Sequence, residues 1–67
     1  MGTVDDLASR VRARRKELGL TQAELAAMAR CGPVFIHQLE HAKPTLQLDK
    51  VVSVLEVLGL RLEVRSR

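Results

Sequence analysis

Of the 67 residues only one is a cysteine and two are histidines. Cys31 therefore has no partner for an internal disulfide, and a lone thiol fits a reducing compartment. Its simplest role is that of a small apolar side chain. Structural zinc takes four ligands; beside Cys31, His37 and His41 no fourth converges by spacing, so no metal is expected. Also missing are a nucleophile with a base and an orienting group, a glycine-rich phosphate loop and paired carboxylates. These gaps argue against an enzyme, and nothing in the chain calls for a cofactor. The apolar runs fall far short of the ~20 residues of a membrane span, and no stretch reads as a signal peptide. The expected setting is the cytoplasm, with no membrane partner.

A chain this short holds one domain, spanning 1–67, with one small core. Such a core typically supplies only ~3–5 kcal/mol, which makes association with a second copy a natural expectation. Eleven Lys and Arg against eight Asp and Glu leave a formal charge of +3, a modest excess. Its distribution says more: Arg10, Arg12, Arg14, Arg15 and Lys16 crowd into one segment with only Glu17 nearby. Such a cluster is either a solvated face or part of a surface that meets phosphates.

Hydrophobic spacing predicts a first helix from about Val4 to Leu18, capped by Thr3 with Asp6 three residues on. Leu7, Val11 and Leu18 share its inner face, and Gly19 stops it. A second helix opens with Thr21-Gln22-Ala23-Glu24, where Glu24 can reach back to the backbone of its cap, Thr21. Leu25, Ala26, Met28 and Ala29 give it a stripe of mostly small apolar residues. After a break at Arg30, Cys31 and Gly32, Pro33 starts a third helix at the position where its missing N–H costs nothing. Phe35, Ile36 and Leu39 anchor that helix. Two short helices joined so tightly form a helix-turn-helix over 21–42.

Ala42, Lys43 and Pro44 make the next break. A fourth helix is expected from about Leu46 to Leu58, with Leu48, Val51, Val52, Leu55 and Leu58 as its core stripe. Val54 and Val57 lie outside that stripe, more apolar surface than one small core needs. Gly59 ends the helix. Beyond it Leu60, Leu62 and Val64 alternate with Arg61, Glu63 and Arg65, the period of a strand. A solitary strand needs a partner, and its symmetry mate in a two-fold dimer is the economical one. Residues 46–65 are thus the expected dimerisation unit, with Val54, Val57, Leu60, Leu62 and Val64 at the interface. The fold class that follows is all-α: four to five short helices with a C-terminal β-strand paired across the dimer.

The third helix carries the chemistry. Its outward set is Pro33, Val34, His37, Gln38 and His41, which is either an ordinary solvated face or a recognition helix for the major groove. Gln38 can pair with adenine through two hydrogen bonds, and Val34 or Pro33 can touch a thymine methyl. His37 can donate to a base or a phosphate. Gln22 sits in the first turn of the second helix, where backbone N–H groups favour a phosphate. Lys43 and Arg12 are candidates for two more phosphates. Arg15 lies near the apolar face of the first helix and needs a partner there. Glu40 is the candidate, giving a structural ion pair between the first and third helices.

The runs Ser9-Arg10-Val11-Arg12-Ala13-Arg14-Arg15, Leu18-Gly19-Leu20-Thr21-Gln22-Ala23-Glu24-Leu25-Ala26 and Phe35-Ile36-His37-Gln38-Leu39-Glu40-His41-Ala42-Lys43-Pro44 resemble the phage-repressor and Cro type of helix-turn-helix, the XRE family. The resemblance covers about Leu7 to Leu58. It implies a lambda-repressor-like fold and a dimeric repressor on a palindromic double-stranded operator. Gln22 would contact phosphate, Pro33, Val34, His37 and Gln38 would face bases, and Arg15 and Glu40 would form the family's internal ion pair. Lys43-Pro44-Thr45, Leu48-Asp49-Lys50-Val51 and Leu58-Gly59-Leu60-Arg61-Leu62-Glu63-Val64 are similar to the antitoxins of Hip-type toxin–antitoxin pairs. That narrower likeness implies an autoregulating antitoxin that also binds a kinase-fold toxin. The alternatives are a phage-type repressor without a toxin, and a protein-interaction module that keeps the fold with little DNA reading. Three departures from the family pattern bear on specificity. Arg30 replaces a turn glycine, Gly32 replaces a capping Ser or Thr, and Pro33 with Val34 replaces polar readers.

Overall fold

A computed structural model describes residues 3–64 and Ser66 of the chain. Among these residues there are four helices: α1 (Thr3–Glu17), α2 (Gln22–Ala29), α3 (Pro33–Glu40) and α4 (Leu48–Val57). α3 packs against both α1 and α2, and α4 closes the bundle by packing on α2.

All four helices stop by the same hydrogen-bond motif, in which two N–H groups beyond the end turn back to orphan carbonyls. In α1 the N–H of Gly19 donates to Lys16 O at 3.0 Å and that of Leu20 to Arg15 O at 3.1 Å. In α4 the pair is Gly59 to Glu56 O at 3.1 Å and Leu60 to Leu55 O at 2.8 Å. The motif needs a left-handed residue, and Gly19 and Gly59 supply it at φ 71° each. The ends of α2 and α3 use Arg30 at φ 58° and Ala42 at φ 57° instead. Both carry a Cβ where glycine is easier, so two of the four stops are strained.

The starts differ as well. Thr21 closes a complete capping box on α2: its Oγ1 accepts from Glu24 N–H at 3.0 Å, and its own N–H donates to Glu24 Oε1 at 2.8 Å. α3 begins on Gly32, which offers no side chain to cap it, and relies on Pro33 in its first turn. α1 begins at Thr3 itself, so the residue expected as its cap is helical; the Thr3 side chain lies outside those described.

Ten residues make the core: Val11 of α1, Leu25, Ala26 and Ala29 of α2, Ile36 and Leu39 of α3, and Val51, Val54, Leu55 and Leu58 at α4. The register of α4 corrects the expectation from spacing. Val54 is fully buried in this core and is removed from any interface with a second copy. Leu48 and Val52, expected inside, are 66% and 39% exposed. Both readings share Val51, Leu55 and Leu58; packing on α2 selects the set that adds Val54. Leu18, also expected inside, is exposed because α1 ends one residue earlier and the chain turns away at Gly19.

The tail contains no strand among its described residues. Leu60 is half-buried against the core, Leu62 is more exposed and Val64 is fully exposed. Leu60 and Leu62 line a recess with Asp6, Leu7 and Arg10, which lays the tail beside α1. Arg65, the last member of the expected alternation, lies outside the described residues.

Candidate nucleic-acid interface

The inner side of α3 is fixed by a polar lock as well as by Ile36 and Leu39. Arg15 of α1 holds Glu40 through two hydrogen bonds, Nε to Oε2 at 2.6 Å and Nη2 to Oε1 at 3.0 Å. A third guanidinium nitrogen donates to Leu20 O at 2.8 Å. The Glu40 side chain is 1% exposed and that of Arg15 11%. Two-point pairing of this kind sets orientation as well as distance. Burial alone would push the Glu40 carboxyl up, but hydrogen bonds from Arg15 and Gln22 outweigh it and hold the group below its ordinary range.

Gln22 belongs to this lock. Its Nε2 donates to Glu40 Oε1 at 3.1 Å, so one amide hydrogen faces inward. The second hydrogen and the amide oxygen remain for an external ligand at the start of α2. The network thus joins α1, α2 and α3 at one carboxylate, and no buried side-chain nitrogen or oxygen is left without a partner among the described residues.

The outer side of α3 is bare. Pro33, Val34, His37 and His41 are exposed and Gln38 is half-buried, with Val34 exposed over 68% of its surface. Glu40 is the only carboxylate in α3 and faces inward, so the outward face of the helix is free of acid. His37 and His41 stack, with ring centroids 4.0 Å apart, and His41 Nδ1 lies 2.8 Å from His37 O. That contact makes Nδ1 the donor and leaves His41 Nε2 available outward. No three of His, Cys, Asp and Glu converge among the described residues.

The basic cluster of α1 divides. Arg10 pairs with Asp6 at 3.2 Å on the surface. Arg14 donates to Leu58 O at 2.9 Å and pairs with Glu17 at 3.0 Å, which ties α1 to the end of α4. Arg15 is committed to Glu40. Arg12 is exposed, and its charge helps hold the Glu40 carboxyl down, which puts it on the α3 side of α1. Arg12 and Lys43 are both exposed, and Lys43 follows shortly after the end of α3.

Spacing alone missed Lys50. Its ammonium stands 5.8 Å from the centre of the Phe35 ring, a cation–π distance. It lines a recess together with Val34, Phe35, Gln38, Thr45 and Gln47, between α3 and the start of α4. Burial pushes the Cys31 thiol up, against a smaller downward pull from Lys50, so Cys31 is a poor nucleophile packed on the core. In the sequence Lys50 stands out only as part of the run Leu48-Asp49-Lys50-Val51, which by itself assigns it no contact.

The helix-turn-helix family matches this chain over residues 11–64. The chain is 45% identical over 62 residues to "Uncharacterized HTH-type transcriptional regulator y4mF" of Sinorhizobium fredii, covering 92% of this chain and 82% of that protein. It is 37% identical over 54 residues to "HTH-type transcriptional regulator RamB" of Mycobacterium tuberculosis. That second match covers 81% of this chain and 11% of RamB, whose length is mostly outside the comparison. With the paired helices, the buried Arg15–Glu40 bridge and these matches in hand, the chain belongs to the XRE family of helix-turn-helix proteins.

Proposed function

We propose that this chain is a double-stranded DNA-binding transcription repressor that works as a homodimer on a palindromic operator. The observation that carries the reading is the two-sided character of α3. Its inner side is locked to α1 and α2 by Glu40, Ile36 and Leu39, while its outer side is acid-free and exposed. A helix held so firmly by one side is suited to enter a major groove with the other. Gln38, His37, Pro33 and Val34 face bases, with His41 beside them, and Gln22, Arg12 and Lys43 hold phosphates. The names of the relatives, both transcriptional regulators, favour the same class.

Two copies would bring their recognition helices about 34 Å apart, one turn of the duplex. Val57, Leu60, Leu62 and Val64 form the dimer contact in this reading, with the two tails pairing as strands. Leu62 and Val64 are exposed apolar residues, which supports a role in association. Within the class, the Hip-like tail run Leu58-Gly59-Leu60-Arg61-Leu62-Glu63-Val64 favours an autoregulating antitoxin that binds a kinase-fold toxin.

The test is a selection from random duplexes, followed by gel shift on the gene's own upstream DNA and sedimentation of the free chain. An enriched palindrome and a dimer are the expected results. Failure to retain any duplex above background would overturn DNA reading and leave the protein-interaction module. For the narrower reading, the neighbouring reading frame is expressed with and without this chain. Relief of its toxicity supports an antitoxin, and a non-toxic neighbour supports a repressor without a toxin.

A further inference from the structure

We infer that Val34 and Gln38 act as one reading unit for a step containing a 5-methylpyrimidine beside an adenine, with Val34 sensing the methyl group. The inference rests on the DNA-binding reading above.

The two residues are one helical turn apart and line the same recess. Val34 is 68% exposed and takes no part in the core, so its apolar surface has no intramolecular use. Its β-branched side chain is held to few rotamers, and Pro33 before it has a fixed φ. A stiff, exposed apolar group at the start of a reading helix is therefore placed in advance. Pro33 does not line this recess and stands one turn from His37 instead. The choice falls on Val34.

In the major groove the C5-methyl of thymine is the apolar group that distinguishes its base pair, and 5-methylcytosine carries the same group at the same ring position. Gln38 offers the amide that pairs with N6 and N7 of adenine. Lys50 across the recess and Lys43 after α3 supply positive charge for the neighbouring backbone, and α3 itself turns no carboxylate outward. An apolar contact beside a two-point amide reader thus fits adenine next to a methylated pyrimidine. It discriminates against uracil and unmethylated cytosine at the position under Val34.

The test uses the full chain and a selected operator in three forms. One carries thymine throughout, one has deoxyuridine at single successive positions, and one has cytosine or 5-methylcytosine at the position that deoxyuridine identifies. At one position per half-site, removing the methyl should weaken wild-type binding about three- to fivefold, the worth of one buried methyl. The 5-methylcytosine duplex should bind more tightly than the cytosine duplex by a similar factor. In Val34→Ser both methyl effects should disappear, while the melting temperature stays as in wild type. Equal wild-type affinity for thymine and deoxyuridine duplexes at every position overturns the inference and leaves DNA binding standing. A methyl effect that persists in Val34→Ser also overturns it, assigning the methyl to another residue or to duplex shape. Failure to bind any of the duplexes overturns both readings.

Discussion

The two sides of α3 are built by opposite rules. On the inner side every polar atom has a partner: Arg15 and Gln22 both converge on Glu40, and Ile36 and Leu39 are fully buried beside them. On the outer side Val34, His37 and His41 meet solvent, and the helix begins on a glycine that cannot cap it. The difference separates what holds the helix from what the helix is for. Substitutions inside should cost folding, and those outside should cost binding alone.

The largest effect is expected at Glu40. Glu40→Ala leaves the Arg15 guanidinium buried without its carboxylate, which costs on the order of 3 kcal/mol. In a domain whose whole core supplies about that much, urea denaturation should find the variant largely unfolded. A folded variant of near-native stability would show that α3 is held by its apolar contacts only.

Gln38→Ala probes the other side. Its melting temperature should match wild type, while affinity for the operator falls roughly 5- to 100-fold through loss of one two-point base contact. Arg12→Ala should weaken every duplex alike and lower the slope of log K against log salt by about 1 in magnitude. A change of preference among sequences in Arg12→Ala would move that residue from phosphate to base.

Acid should act on the inner side. The Glu40 carboxyl is held below its ordinary value of 4.5, so the unfolded chain binds more protons than the folded one at low pH. The stabilisation is complete above about pH 4.5 and is lost as pH falls through the folded value. Melting temperature should therefore drop steeply in that acid range, and Glu40→Gln should flatten the drop. A wild-type curve that stays level below pH 4 would contradict the lock.

The smallest effect tests the strained stops. Ala42→Gly should raise stability by about 1 kcal/mol, because a left-handed residue no longer carries a Cβ. Arg30→Gly should do the same, without disturbing the inner side. Loss of stability in either would mean that flexibility gained by the unfolded chain outweighs the strain removed.

Local signals made the helix-turn-helix legible. Thr21 with Glu24, Pro33 as first residue of α3, and Gly19 and Gly59 as stops each act through their own neighbours, so spacing reveals them. The Arg15–Glu40 pair was also legible, because a guanidinium on an apolar face demands a carboxylate. What spacing did not reveal depends on three-dimensional neighbours. Seven apolar residues from Leu48 to Leu58 allow two stripes, and only packing on α2 buries Val54 and exposes Val52. The amide of Gln22 meets a carboxylate 18 residues away, and Arg14 meets the carbonyl of Leu58 44 residues away. Neither distance has a signature in a one-dimensional pattern. The outward residues of α3 could be named from a helical wheel, but which of them share a recess with Lys50 depends on where α4 begins.

On the proposed reading, α3 is held from inside and meets DNA from outside. Fluorescence anisotropy of wild type and Gln38→Ala on one operator, with melting curves from the same samples, tests it most directly. Superimposable melting curves and a clear loss of affinity in the variant are expected. Equal affinity, with both proteins equally stable, would contradict it.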